Sequence, residues 1–234
     1  MIQREVEAAQ KISPRVIVLH MQNGSMKNYT YLVIDSGSLR AVIVDPAWEI
    51  EKIDRALEDN RATLDAVLLT HSHPDHIHLA FPLAEKYECP VWMSSEEIAA
   101  SGLQADRLVG IDRSYLTVGQ MLIEPILTPG HTLGSTCYLI GENLFTGDVL
   151  FAEGCGLCPD TAAAYAMFAS LEYLKSRLSL QTRIYPGHSY GRPPGRPMAQ
   201  LRKENIYLQF SDKESFAAFR LRKGQHIGRM FNFF

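Results

Sequence analysis

The sequence predicts an α/β (α+β) fold in which two sheets pack face to face with helices on the outside. Three observations carry this reading. Short β-branched-rich segments recur between turn residues, and helical segments follow them in the order strands, helix, strands, helix, twice over. No run of about 18 apolar residues breaks the pattern, so no membrane span is expected. Hydrophobic residues at 46% supply a core, and with 21% charged residues wholesale disorder is excluded. The 234 residues are read as one domain over 1–234 with a basic segment at about 190–234.

The elements follow in order. Residues 15–20, 29–34 and 39–44 read as a strand meander, 50–58 as a helix, and 64–69 as a short apolar strand ending at Thr70. Residues 80–87 are helical, with Pro82 predicting a break or restart near the beginning. Residues 90–93 form a buried strand, and Ser94-Ser95-Glu96-Glu97 has the composition of a helix start. Residues 121–128, 136–140 and 143–146 are further strands, the last two joined by a tight Gly141-Glu142 turn. An amphipathic helix covers 161–178, and the strand at 183–185 leads into Pro186-Gly187-His188.

Four of the eight histidines fall between positions 71 and 78. Thr70–His76 reads T-H-S-H-P-D-H. His71 and His73 are two apart, so on an extended segment they face the same side. Pro74 then turns the chain, and Asp75 and His76 can aim at a neighbouring point. Two imidazoles for one cation, and a carboxylate with an imidazole for a second, is a natural division. Three later pieces place a His or Asp beside a Gly after a strand: Pro129-Gly130-His131, Thr146-Gly147-Asp148 and Pro186-Gly187-His188. Five His and two Asp suit zinc, iron or manganese better than calcium or magnesium. Two divalent cations, two carboxylates and a bridging hydroxide leave about one positive charge, a site that attracts an oxyanion. No comparable Ser/His/Asp or Cys/His nucleophile site is visible.

Net charge is −3, which argues against a nucleic-acid partner. It is unevenly placed: residues 190–234 hold nine Lys/Arg against three acids, a net +6, and the remainder carries −9. The aromatic residues between Met230 and Phe234 are expected to dock on the body or on a second subunit. Four cysteines are too few for a disulfide scaffold and point to a reducing cytoplasm, and the first residues lack the apolar core of a secretory signal. Cys89 and Cys137 read as core, and Cys155 and Cys158 as part of a Gly-rich loop rather than a redox pair or zinc site. Trp48 reads equally as packing or as a residue at the mouth of the site.

These motifs resemble the metallo-β-lactamase superfamily and, within it, the glyoxalase-II-like hydrolases, over about residues 15–210. The resemblance implies a four-layer αββα sandwich with metals at one edge. It implies two Zn2+, with Fe or Mn open, in which His71, His73 and His131 bind the first ion. Asp75, His76 and His188 would bind the second, and Asp148 would bridge them. The catalytic residues it implies are Asp148 and Asp75, both as metal holders, with a metal-bound hydroxide as nucleophile. Asp45, in V-D-P, is read as structural, tying the metal loop. Glutathione-specific members carry a Lys and a Tyr where this chain has Leu157 and Pro159, which disfavours glutathione itself. Tyr190, in H-S-Y, matches a substrate-binding Tyr of the family. His78 replaces one of the usual glycines after the motif and is read as a packing residue, with a role behind the ligands kept open.

H-I-H-L-A, E-G-C-G-L-C-P-D and F-R-L-R-K are most similar to the zinc hydrolases encoded with trans-acyltransferase polyketide synthases. Those are regarded as acting on acyl groups held by acyl carrier protein. The implied reaction is thioester hydrolysis (EC 3.1.2 type), with Tyr190, Leu157, Arg222 and Lys223 touching substrate. Arg192 and Arg196 join Arg222 and Lys223 as candidates to steer an acidic carrier. The rivals are a hydroxyacylglutathione hydrolase, a lactonase, a mononuclear iron persulfide dioxygenase using His71, His131 and Asp148, and a non-catalytic module that keeps metal for structure. RNA processing and β-lactam hydrolysis are disfavoured, the second because Asp rather than Cys occupies the bridging position.

Overall fold

The computed structural model describes residues 13–223. The segment Met230–Phe234, expected to dock on the body, lies outside them. Among the described residues, twelve strands form two six-stranded sheets. The first holds β1 (Arg15–Asn23), β2 (Met26–Ile34), β3 (Arg40–Val44), β4 (Thr63–Leu68), β5 (Val91–Ser94) and β6 (Leu108–Ile111), paired in sequence order. The second holds β7 (Leu116–Val118), β8 (Met121–Leu127), β9 (Thr136–Ile140), β10 (Asn143–Gly147), β11 (Arg183–Pro186) and β12 (Arg196–Pro197), also neighbours in sequence order. The helices are α1 (Ile50–Asn60), α2 (Pro74–Ile77), α3 (Ala80–Lys86), α4 (Ser95–Ser101), α5 (Thr161–Arg177), α6 (Met198–Glu204) and α7 (Lys213–Arg220), with a 3-10 turn at Ile206–Leu208.

Alternation along the strands builds four layers. In β2 and β3, Leu32, Ile34, Ala41 and Ile43 point outward and pack with Ile53 and Leu57 of α1 and Ala80, Leu83 and Ala84 of α3. Their sequence neighbours Tyr31, Val33, Val42 and Val44 point inward, against Tyr138, Ile140 and Phe145 of the second sheet. On the far side of that sheet, Cys137, Leu144 and Ile184 pack under α5, α6 and α7 through Ala164, Met167, Leu171, Leu174, Leu201 and Phe216. The expected αββα sandwich is therefore present. A strand buried on both faces reads as a nearly continuous apolar run, as β2 does.

Several boundaries and elements depart from expectation. Helix α3 runs through Pro82 without a break, because Pro82 occupies its third position, where the missing N–H has no partner to lose. Strands β6, β7 and β12 and helices α2, α6 and α7 were not separately anticipated; β7 and β12 have only three and two residues, too few for a period to register. Helices α4, α5 and α7 start at Ser94, Asp160 and Asp212, whose side chains accept N–H bonds from Glu97, Ala163 and Ser215. Among the described residues, no helix is long and apolar enough to cross a membrane.

Helix α7 is seated by Phe216, fully buried, with its ring 5.6 Å from those of both Tyr207 and Phe168. Phe216→Ala is expected to cost about 3–5 kcal/mol through the cavity it leaves. Urea unfolding of the two proteins measures this, and an unchanged midpoint would show that α7 contributes nothing to the fold.

Strand direction positions the site. Strands β8, β10 and β11 point the same way, since β10 and β11 are parallel and β9 is antiparallel to both β8 and β10. In the other sheet β3 and β4 are parallel. The C-terminal ends of these strands lead directly into Pro129-Gly130-His131, Asp148, Gly187-His188, Asp45 and Thr70-His71.

Candidate metal centre

Two buried tyrosines fix the bases of these loops from the inter-sheet layer. Tyr138 donates its hydroxyl to Leu69 O at 2.9 Å, and Tyr31 donates to Pro186 O at 2.5 Å. Burial holds both hydroxyls well above the usual tyrosine pKa, so they remain donors. Loop joins loop through the backbone: Gly187 N–H reaches Gly147 O at 2.8 Å, and Thr136 N–H reaches Thr70 O at 2.9 Å. Gly147 has φ +47°, and a Cβ there would strike the Thr70 side chain. At Gly187 a Cβ would lie 2.6 Å from the His76 ring and 2.7 Å from Asp148 Oδ1, so glycine gives those ligand-type atoms room to converge.

The seven histidines and aspartates singled out by the sequence come together. His71, His73 and His131 offer ring nitrogens to one point, and Asp75 offers a carboxylate oxygen and His76 and His188 ring nitrogens to a second. His73 Nδ1 lies 3.0 Å from His71 Nε2 and 3.0 Å from His131 Nε2. His188 Nε2 is 3.3 Å from Asp75 Oδ2, and His76 Nε2 is 3.6 Å from the same oxygen. Asp148 sits between the two groups. Its Oδ1 is 3.4 Å from both His76 Nε2 and His188 Nε2, and its Oδ2 is 3.7 Å from His131 Nε2.

The other ring nitrogens are already committed. His131 Nδ1 faces Leu157 O at 2.8 Å and His188 Nδ1 faces Lys27 O at 3.0 Å, so each donates there and Nε2 is the ring atom turned to the centre. Asp45 accepts from Thr70 N at 2.8 Å and Thr70 Oγ1 at 2.6 Å, and from His76 Nδ1 at 2.9 Å. Thr70 Oγ1 in turn receives His71 Nδ1 at 3.0 Å. Asp45 thus ties the metal loop, as expected, and three accepted bonds leave its carboxylate fully engaged behind the ligands. Asn28 donates to both the carbonyl and the carboxylate of Asp75, at 2.9 and 3.1 Å.

This arrangement fits metal ions. One proton on His73 Nδ1 can serve only one of its two 3.0 Å neighbours, whereas a cation between the three nitrogens satisfies all of them. His76 Nε2 and Asp148 Oδ1 are buried without a hydrogen bond, an arrangement costing about 1–3 kcal/mol per atom unless a cation relieves it. Charge balance agrees. Burial, then the neighbouring His76 and His131, hold His71 well below the usual histidine value, so it is neutral and ready to coordinate. Burial opposes ionisation of Asp148, but His188, His76 and His131 outweigh it and hold that carboxyl well below the usual range.

One residue around the centre was missed in the sequence. Glu97, buried in the first turn of α4, accepts from Ser72 N at 2.9 Å and Ser72 Oγ at 2.6 Å. Its second oxygen accepts from Thr132 Oγ1 at 2.7 Å and Gly134 N at 3.0 Å. It clamps the loop between His71 and His73 to the loop after His131.

The substrate-contact candidates lie in different settings. Tyr190 is mostly covered, with its ring 5.2 Å from Phe151; burial and then the charge of Asp148 push its hydroxyl up, so it stays a donor. Leu157 contributes its carbonyl to His131. Arg222 and Lys223 are exposed after α7, with the Arg222 guanidinium stacked on Phe219 at 3.7 Å. Arg220, not selected from the sequence, is the buried cation of that helix, and its Nη1 donates to Tyr207 OH at 2.8 Å. Arg192 and Arg196 both pair with Glu204, which reduces what they offer a carrier. His78 is exposed, so its packing role is corrected: it sits at the solvent end of α2. Trp48 packs against the core of the first sheet. The four cysteines are free and buried, and burial pushes the thiols of Cys89 and Cys158 up to about 11 and that of Cys137 to about 12, as suits packed side chains rather than reactive thiolates.

Fold and centre together define a metal-site αββα sandwich. The sequence model of the metallo-beta-lactamase superfamily matches residues 25–188, and the chain belongs to that superfamily. It is 45% identical to the "Probable polyketide biosynthesis zinc-dependent hydrolase BaeB" of Bacillus velezensis and 44% identical to the corresponding protein PksB of Bacillus subtilis, each over 85% of this chain and 89% of the relative. It is 34% identical to the hydroxyacylglutathione hydrolase of Brucella ovis, over 80% of this chain and 72% of that one. Among solved structures, ETHE1 from Myxococcus xanthus superposes with a TM-score of 0.76 at 28% identity, covering 92% of this chain and 94% of that one.

Proposed function

We propose that this protein is a dinuclear zinc-dependent hydrolase that cleaves a thioester, its acyl group borne by a carrier protein or a small thiol, in polyketide biosynthesis. The observation that carries the reading is Asp148, whose two oxygens face the two separate clusters of ligand-type atoms. In this reading His71, His73 and His131 hold one ion, Asp75, His76 and His188 hold the other, and Asp148 bridges. Zinc so held supplies a Lewis acid for a carbonyl and a water ionised near neutral pH. The protein's own part is to aim the imidazoles, through Asp45, Leu157 O and Lys27 O. Tyr190, kept protonated by burial, would donate a hydrogen bond to the substrate. A thiolate leaves readily, so no strong general acid is required.

The names of the two Bacillus relatives support zinc, hydrolysis and the polyketide context. Leu157 and Pro159, an aliphatic side chain and an imino acid, offer glutathione neither cation nor phenol, which favours a pantetheine thiol. The second reading is a hydroxyacylglutathione hydrolase, favoured by the Brucella relative.

Elemental analysis of protein purified without chelator is expected to give about two zinc ions per chain. Hydrolysis of an acyl-phosphopantetheine carrier protein is expected to exceed that of the matching acyl-glutathione by roughly tenfold or more. The opposite preference would select the glutathione reading; a single iron with neither hydrolysis would discard both. Chelation should abolish turnover and lower the melting temperature, because bound metal stabilises the folded state by about 4 kcal/mol at a thousand times its Kd.

A further inference from the structure

Beside the centre lies a cleft of about 390 Å³ that none of the roles above uses. One wall is the loop Pro129 to Leu133, which carries His131; the other is Pro159 and the first two turns of α5, through Ala162, Ala163 and Ala166. Of the seven residues of the centre, His131 lines the cleft, which adjoins the centre at that side chain.

Its chemistry is one-sided. Asp160, its one carboxylate, is engaged at 2.8 Å by the Ala163 N–H as the cap of α5. The Thr132 hydroxyl donates to Glu97 and lies 2.7 Å from Ser135 Oγ. His131 Nδ1 is taken by Leu157 O. Apart from the second carboxylate oxygen of the exposed Asp160, the polar side chains of the lining are committed within the protein, and what remains is proline, alanine and Leu133, an aliphatic side chain 75% exposed at the rim. A pantetheine arm, with its several amides and its phosphate, would lose more hydrogen bonds to water here than that one anionic oxygen returns, and the anion would repel the phosphate. An alkyl chain gains from every methylene it buries. The polar candidate Tyr190 lies on the His188 side, both rings packing against Phe151, whereas the cleft lies beside His131.

We propose that this cleft seats the acyl chain of the substrate, with its carbonyl end at His131 and the thiol on the Tyr190 side. The proposal rests on the thioester reading and deepens it: the substrate class is a medium-length aliphatic acyl thioester, and Ala166 and Ala163 set how long a chain enters. Small side chains there keep the cleft open; a larger one fills it.

The test uses metal-loaded protein and N-acetylcysteamine thioesters of acetate, hexanoate and decanoate. For the wild type, kcat/KM is expected to rise by roughly fourfold for each methylene buried, until the cleft is full. In Ala166→Phe the decanoyl-to-acetyl ratio is expected to fall by roughly tenfold or more. A wild-type rate independent of chain length would overturn the proposal, as would a variant that slows all three substrates equally, the pattern of a thiol-arm site. Binding of decanoate by calorimetry separates this from failure of the thioester reading. If no thioester is cleaved, decanoate binding that Ala166→Phe weakens by roughly tenfold still upholds an alkyl seat, and absence of binding discards it. Should Ala166→Phe not fold, Leu133→Ser, at an exposed rim position, carries the same two readouts.

Discussion

Asp148→Ala is expected to lower both bound zinc and turnover, the latter by at least about a hundredfold. The size follows from its position: substitutions of residues that merely orient a ligand cost about 10–100-fold, and Asp148 faces both clusters directly. Without it three imidazoles, those of His76, His131 and His188, lose the one carboxylate they share. Asp148→Asn, which keeps the shape and removes the charge, should behave nearly as badly, since a neutral amide oxygen does not offset two dications. Elemental analysis and turnover are to be read together. Full metal with wild-type turnover in either variant would remove Asp148 from the centre and the dinuclear reading with it.

Glu97→Ala is expected to destabilise the fold by about 3–5 kcal/mol, because four donors lose the carboxylate that satisfies them in a buried position. For a chain of this length that corresponds to a fall in melting temperature of about 6–20 °C. The effect should reach the metal as well. Ser72 lies between His71 and His73, and Thr132 follows His131, so the clamp sets the spacing of the three-histidine cluster. Glu97→Gln keeps one acceptor oxygen and is expected to fold, yet to hold zinc about 10–100-fold more weakly in competition with a chelator. Wild-type melting and wild-type zinc affinity in both variants would reduce Glu97 to an ordinary helix-start residue.

The centre was legible in the sequence to the extent that its spacing is local. His71 and His73 share a side because an extended chain has a period of two, and Asp75 and His76 follow a proline that turns the chain; these are properties of seven consecutive residues. Phe216, Ala217 and Arg220 recur at helical spacing on the buried face of α7, which marks Arg220 as an inward position, and Arg222 lies beyond the end of that helix.

Other features belong to the tertiary structure alone. Glu97 is 25 residues from Ser72 and 35 from Thr132, and only the packing of α4 beside two loops from different sheets makes it a clamp. The cleft beside His131 is a gap between a loop and the start of α5, and a gap between elements has no composition of its own. What the sequence determined by itself was the layered fold and the identity of seven ligand-type residues, because periodicity and short motifs are encoded between near neighbours. Which buried carboxylate holds the loops and where a cleft opens beside His131 were decided by how helices α4 and α5 pack against loops distant in the sequence, a matter of long-range packing that no local pattern records.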